Sequence, residues 1–294
     1  SVGAVELIKE FTTVTQRPLD GLAALAPQAG VELVEADIRD GDAMVRAVTG
    51  ADVIVHLAAN TGVAPSVQNP AFDCQTNVIG TLNLLEAARA AGVGRFVFAS
   101  SGAPVGEVEP PIHENLAPHP VSPYGASKLA GEGYCSAYAR TFGLTTVALR
   151  FGNVYGPGST HKSSVVAKFI RQAMAGETLE IYGDGKQTRD FIFIDDLIDA
   201  IVKAATVDGI AGEVFQIATA AETSVGEMVE RLVPVLEAHG IGKPHVINGE
   251  PRLGDVLRNF SDTSKAARTL GWQASHSLDD GLEKTVAWFA RDTA

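Results

Sequence analysis

Cysteine is scarce: the chain carries only Cys74 and Cys135. Two isolated thiols exclude a disulfide framework and a cysteine-built zinc site, and they fit a reducing, cytoplasmic setting. Both read as packing residues on two different helices. Positive charge is short as well, with 23 Lys and Arg against 35 Asp and Glu and a formal net charge of −12. Nucleic acid is not expected as a partner on that balance, because phosphate backbones need a positive surface. A local basic pocket for a small diphosphate remains compatible with it. No apolar run approaches the ~18 residues of a membrane span, so no membrane partner is expected. The first residues have the pattern of neither a signal nor a transit peptide. Internal repeats, low-complexity segments and a metal site are also missing from the pattern.

What is there is alternation. Short apolar strands at Val53–His56, Arg95–Ser100 and Thr145–Arg150 are separated by longer helical patterns. Cys74–Ala91 reads as a helix with Val78, Leu82, Leu85 and Ala88 on one face. Pro123–Phe142 reads as a second, with Pro in the first turn where a missing N–H does no harm. This order predicts an α/β fold: a doubly wound, Rossmann-like parallel sheet covered by helices. After Phe151 the pattern loosens into Gly/Pro loops at Gly152–Ser159 and Gly183–Gly185, with helices following from Ser224 and from Leu278. That half predicts a smaller C-terminal substrate-binding lobe packed at the carboxyl ends of the strands, where open α/β sheets bind ligands.

One pattern is missing where this fold needs it. A nucleotide-binding sheet opens with a strand and a glycine-rich turn, yet Val5, Leu7, Ile8 and Phe11 read as one face of a helix with no such turn before it. The expectation is that a phosphate loop lies ahead of Ser1, outside this sequence. The stretch Thr12–Pro18 ends in Gln16-Arg17 where an acid would bind an adenosine 2′-hydroxyl; Arg17 leaves NADP open beside NAD.

The strongest chemical signal is Ser122-Pro123-Tyr124-Gly125-Ala126-Ser127-Lys128. Tyr124 and Lys128 are four apart on a helix and share a face. A phenol of ordinary pKa is a poor base at neutral pH, and a nearby ammonium stabilises its phenolate. Ser100-Ser101 ends an apolar strand upstream and offers a hydroxyl to the same substrate oxygen. Ser101, Tyr124 and Lys128 are therefore the candidate catalytic centre, exchanging a proton with a sugar hydroxyl while hydride moves to or from nicotinamide.

Four further segments carry a resemblance: Asp37-Ile38-Arg39-Asp40, His56-Leu57-Ala58-Ala59, Asn77-Val78-Ile79-Gly80-Thr81, and Leu149-Arg150-Phe151-Gly152-Asn153-Val154-Tyr155-Gly156-Pro157. From about Val31 onward the chain resembles the extended short-chain dehydrogenase/reductase family, of the NAD-dependent epimerase/dehydratase type that acts on nucleotide sugars. The resemblance implies cofactor contacts from Asp37, Ile38, Leu57, Ala58, Ala59, Asn77, Ala99, Tyr124, Lys128 and Phe151. It implies substrate contacts from Ser101, Asn153, Arg189 in Tyr182–Phe191, and Arg252 and Asp255 in Pro251–Asp255. Two guanidiniums suit a diphosphate, since each can fork onto phosphate oxygens. The expected domains are 1–150 with about 190–220 for the dinucleotide, and 151–189 with 221–294 for the nucleotide sugar. Trp272 and Trp288 read as packing. A homodimer formed by the helices from Cys74 and from Pro123 is implied as well.

Two departures bear on the reaction. Val105 stands where the family usually has Tyr, which leaves the sugar contacts open. Gly102 and Ala103 stand where the family's dehydratases carry an Asp-Glu pair and its decarboxylases a Glu. Neither can move a proton, so the expected reaction is NAD-dependent 4-epimerisation of a nucleotide sugar, UDP-hexose first. An NADPH-dependent 4-keto-sugar reductase or a dehydratase is the alternative enzyme. A non-catalytic cofactor-binding sensor or scaffold is the alternative of another kind.

Overall fold

Apolar runs bounded by turns become the buried strands of a four-stranded parallel sheet, in the order Val53–His56, Arg95–Ser101, Thr145–Phe151, Glu213–Ile217. The computed structural model describes residues 5–6, 32–159, 164–251 and 257–292. Val53 pairs with Arg95 and His56 with Phe98, in parallel register. Phe96, Val97 and Phe98 are all buried, as befits a strand covered on both faces. Leu84, Leu85 and Ala88 from the helix Gly80–Ala91 and Met44 and Val48 from Gly41–Val48 join Phe96 and Phe98 in one core.

The chain divides into two units. One comprises Ser1–Glu107, Asn115–Arg150 and Ile201–Phe215; the other comprises Val108–Glu114, Phe151–Ala200 and Gln216–Ala294. Of the stretch 190–220, residues 201–215 thus lie in the first unit.

The helix expected over Cys74–Ala91 begins earlier and is not uniform. Pro70–Cys74 runs into a wide π turn at Gln75–Ile79, which then continues as Gly80–Ala91. A π turn winds in one extra residue and rotates the helix beyond it. The buried face accordingly runs through Thr81, Leu84, Leu85 and Ala88, with Leu82 only half-buried. Cys135 is buried, but Cys74 is exposed and is not a packing residue.

Pro123–Phe142 forms as the sequence predicts. Ser122 caps it by accepting from the Gly125 amide at 3.1 Å, and Gly143 ends it in the left-handed region. Two glycines let this helix lie against the sheet. A Cβ on Gly131 would strike the Phe98 ring, and one on Gly125 would come within 2.6 Å of the Ala103 carbonyl oxygen.

The N-terminal expectation fails at Val5. Val5–Glu6 is a strand paired in parallel with Glu32–Leu33. Val5 and Leu7 are two apart as well as part of a helical spacing, and so short an apolar run does not separate the two periods. Leu7, Ile8, Phe11 and Thr12–Pro18, including Gln16 and Arg17, lie outside the described residues.

The second unit has its own core, built from Phe169, Ile170, Leu179, Met228, Leu232, Leu282 and Val286. Val225–Ala238 starts with a reciprocal cap between Ser224 and Glu227, and Leu278–Asp292 packs beside it. The expected loop Gly152–Ser159 contains a strand, Asn153–Tyr155, paired in parallel with Phe191–Phe193. Three residues are too few to show alternation; what seats this strand is the burial of Tyr155. Trp272 is fully buried and donates its indole N–H to the Asp196 carbonyl at 3.0 Å. No helix among the described residues is long and apolar enough to cross a membrane.

Candidate active site

The strand Arg95–Ser101 and the helix Pro123–Phe142 together position three side chains. The close approach allowed by Gly125 brings the first helical turn against the Ser101–Ala103 segment. There the Ser101 hydroxyl is near enough to the Tyr124 phenol to favour its ionised form, and the Ala103 amide donates to Ser101 Oγ at 3.2 Å. The Tyr124 amide donates to the buried Ser66 Oγ at 3.1 Å. One turn on, Lys128 Nζ lies 5.9 Å from the Tyr124 ring centroid and donates to the Ala99 carbonyl at 2.8 Å.

Burial sets the electrostatics. Desolvation pushes the Lys128 ammonium down to about 8, against the opposing pull of Asp73, Cys135 and Glu132. Desolvation also raises the Tyr124 phenol, while the nearby Ser101 hydroxyl acts the other way. His56, buried between Phe96 and Phe98, is driven down to about 3, first by burial and then by Lys128. It is therefore a neutral ring at working pH and no acid–base candidate. Its Nε2 meets Thr81 Oγ1 at 2.9 Å, and Thr81 in turn donates to the Asn77 carbonyl.

Asn77 is the hub beneath this centre. Its Oδ1 accepts from the Asn60 amide at 2.7 Å, and its Nδ2 faces the Asn60 carbonyl, Asp73 Oδ1 and Ser127 Oγ at 3.0–3.1 Å. Ser127 donates to the Tyr124 carbonyl at 3.0 Å. On the opposite side of Lys128, Glu132 takes two bonds from Arg150 and one from Ser100, all buried. That pair ties the helix to the two central strands, one residue from Ser101.

The expected cofactor residues differ in what they offer. Asp37 is held by Arg39 in an ion pair of 2.7 Å; the Ile38 side chain is buried against Gly80 and its carbonyl accepts from Asn83 Nδ2 at 3.0 Å. Leu57 is exposed, Ala58 and Ala59 are half-buried, Ala99 is buried, and Phe151 is half-buried at its strand end. Lys128 is the clearest fit to a ribose. An ammonium has three donors, and Ala99 is the one hydrogen-bond acceptor Lys128 finds among the described residues.

In the second unit, Asn153 and Arg189 line a cavity of about 310 Å³ together with Lys168, Glu180, Tyr182 and Gln187. Lys168 Nζ stands 5.1 Å from the Tyr182 ring centroid. Arg189 donates to the Thr188 carbonyl at 2.7 Å. Arg252 and Asp255 lie outside the described residues.

The model of the family described as "NAD dependent epimerase/dehydratase family" matches residues 6–218. The chain belongs to this family. A UDP-glucose 4-epimerase of Mycolicibacterium smegmatis is 40% identical over 263 residues, 88% of this chain and 82% of that protein. Among solved structures, the UDP-glucose 4-epimerase of Thermotoga maritima with UDP-glucose superposes with a TM-score of 0.82 at 38% identity, covering 89% of this chain and 85% of its own. That of Thermus thermophilus, complexed with NAD, gives 0.80 at 32% identity, covering 89% and 85%.

For an epimerase/dehydratase-family chain, several site residues escape the motif. Asn60, Ser66, Asp73, Glu132 and Arg150 all support the Tyr124–Lys128 turn through buried bonds. Glu132 had a legible signal, since it stands one further helical turn from Lys128 on the same face. Asp73 likewise stands one turn before Asn77. Asn60 and Ser66 carried none, because their partners are remote in sequence. Val105 is fully buried and its carbonyl accepts from the His119 amide, so in this chain the position is one of packing. A Cβ on Gly102 would meet nothing within 4 Å, so open space adjoins Ser101.

Proposed function

We propose that the chain is an NAD-dependent nucleotide-sugar 4-epimerase acting on UDP-glucose and its C4 epimer. The observation that carries this reading is the meeting of Ser101, Tyr124 and buried Lys128 at one strand end, with no proton-moving side chain at positions 102 and 103. NAD+, when bound, would accept the hydride from sugar C4 and return it. Tyr124 takes the C4 hydroxyl proton, with Ser101 hydrogen-bonded to the same oxygen. The Lys128 ammonium stabilises the phenolate and holds the nicotinamide ribose through its remaining donors. Asn77 fixes the Asn60 turn, and Asp37, the Ile38 backbone, Leu57, Ala58, Ala59, Ala99 and Phe151 line the cofactor's path. The keto-sugar turns and is reduced on its other face as Tyr124 gives the proton back, so there is no net oxidation. In the second unit, the cavity beside Asn153 and Arg189 takes the nucleotide and its diphosphate, with Arg252 and Asp255 as further contacts. The relatives named for UDP-glucose 4-epimerase support this choice. We place the enzyme in the cytoplasm as a homodimer paired through the helices that carry Ile79, Tyr134 and Phe142, which are exposed.

The test is direct. Purified enzyme with NAD+ and UDP-glucose should yield the C4 epimer of unchanged mass with no net change in nicotinamide absorbance. A product lighter by one water would establish a dehydratase instead. Steady consumption of NADPH with a keto-sugar would establish a reductase.

A further inference from the structure

The short helix Pro70–Cys74 places Asp73 in the interior, 1% exposed. Its Oδ1 accepts from Asn60 Nδ2 at 3.2 Å and from Asn77 Nδ2 at 3.0 Å. Its Oδ2 is buried without a hydrogen-bond partner. A buried polar atom left unpaired costs about 1–3 kcal/mol, and more when it is charged. Such an atom in a native interior calls for a reason.

The reason lies in the charges around Lys128. Burial alone favours its neutral amine. Four other titratable groups act in its neighbourhood besides Asp73. Glu132, on the same helix, is committed to Arg150 and Ser100 through both oxygens. Cys135, also on that helix, is held as a neutral thiol by burial. His56, from the strand Val53–His56, is neutral. Tyr124 is the proton-transfer partner itself. Asp73 has no ion-pair partner among the described residues, and its field acts on both Lys128 and Tyr124.

We propose that Asp73 is a positioning residue of two parts: Oδ1 locks Asn60 and Asn77 beneath the Tyr124–Lys128 turn, and the unpaired Oδ2 supplies the counter-charge to the Lys128 ammonium. The proposal rests on the epimerase reading for its kinetic consequence, though its electrostatic half does not. A lysine that loses its proton can no longer stabilise a phenolate, so this carboxylate widens the pH range over which Tyr124 is usable as a base. Unlike Glu132, it does so without being neutralised by an arginine.

Asp73→Asn keeps the shape and the Oδ1 acceptor and removes the charge. The alkaline limb of kcat should move to lower pH, giving a deficit of roughly tenfold near about pH 9 that closes near about pH 6.5, with KM for UDP-glucose unchanged. Lys128 is read without turnover as the ε-methylene NMR signal lost on adding Lys128→Met. That signal should titrate at lower pH in Asp73→Asn, because the carboxylate that favours the ammonium is gone. A uniform loss of kcat at every pH, with the limb and the Lys128 titration unmoved, would overturn the counter-charge and leave a scaffold residue only. Should Asp73→Asn fail to fold, Asp73→Glu replaces it. The retained charge then requires the limb to stay in place, and a limb shifted to lower pH overturns the proposal. If the wild-type enzyme turns over no UDP-sugar, the epimerase reading fails, and the Lys128 titration still decides the role of Asp73.

Discussion

The two units solve different problems with polar residues. In the first, Asn60, Asp73, Asn77 and Ser127 are buried and bonded to one another, Glu132 and Arg150 form a second buried pair, and Lys128 is buried on the Ala99 carbonyl. In the second, the residues of the cavity wall are open to solvent: Asn153 and Tyr182 are exposed, and Arg189 and Gln187 are half-buried. The buried set has its geometry fixed before any ligand arrives, which is what proton and hydride transfer require. The open set is free to exchange water for a ligand's oxygens, which suits recognition. Substitutions in the first region should therefore appear in kcat or in stability, and substitutions in the second should appear in KM.

The largest effect should come from Tyr124→Phe. Loss of general acid–base function typically costs about 10²–10⁴ in rate, and binding of NAD+ and UDP-glucose should survive, as calorimetric titration of the variant would show. Retention of half the wild-type kcat would end the assignment of the first region. Next is Arg150→Met, which strands the Glu132 carboxylate in the core. Breaking such a pair costs about 3–5 kcal/mol, readable as a shift in urea midpoint. The double change Glu132→Leu with Arg150→Met should recover part of that loss.

The third prediction concerns the other region. Arg189→Ala should raise KM for UDP-glucose by about 10- to 100-fold, the equivalent of one charge-assisted bond at ~1.5–3 kcal/mol, and leave kcat and NAD+ affinity nearly unchanged. A fall in kcat with constant KM would erase the division between the two regions. The smallest effect is a matter of sign. The folded pKa of Lys128, about 8, lies below its unfolded value. The unfolded chain thus binds the extra proton above about pH 8, and the buried ammonium opposes folding below it. Lys128→Met should accordingly melt higher than wild type at neutral pH while losing turnover, and that gain in Tm should shrink as pH rises through about 8.

Much of this was legible in the sequence because it obeys a period. Pro123–Phe142 followed from its helical pattern with Pro123 in the first turn. The central strands followed from their apolar runs. Three kinds of feature did not. The wide turn at Gln75–Ile79 breaks the helical period from within, so a regular period points to Val78, Leu82, Leu85 and Ala88 instead of a buried face running through Leu84. The strands Val5–Glu6 and Asn153–Tyr155 are shorter than any period. Asn60 and Ser66 earn their place through partners 17 and 58 residues away, a distance at which pattern says nothing.

The extra residue wound into Gln75–Ile79 also fixes a length. Upstream of it, Asp73 is bonded to Asn60; downstream, Thr81 is bonded to His56. Deleting one residue between them would restore ordinary winding and swing one anchor about 100° around the axis relative to the other. Surface loops of this chain can absorb insertions and deletions by re-routing backbone through solvent. This stretch has no such slack, so a deletion scan should find it far less forgiving than the loop at Gly240–Gly242, although most of its side chains could be exchanged one at a time.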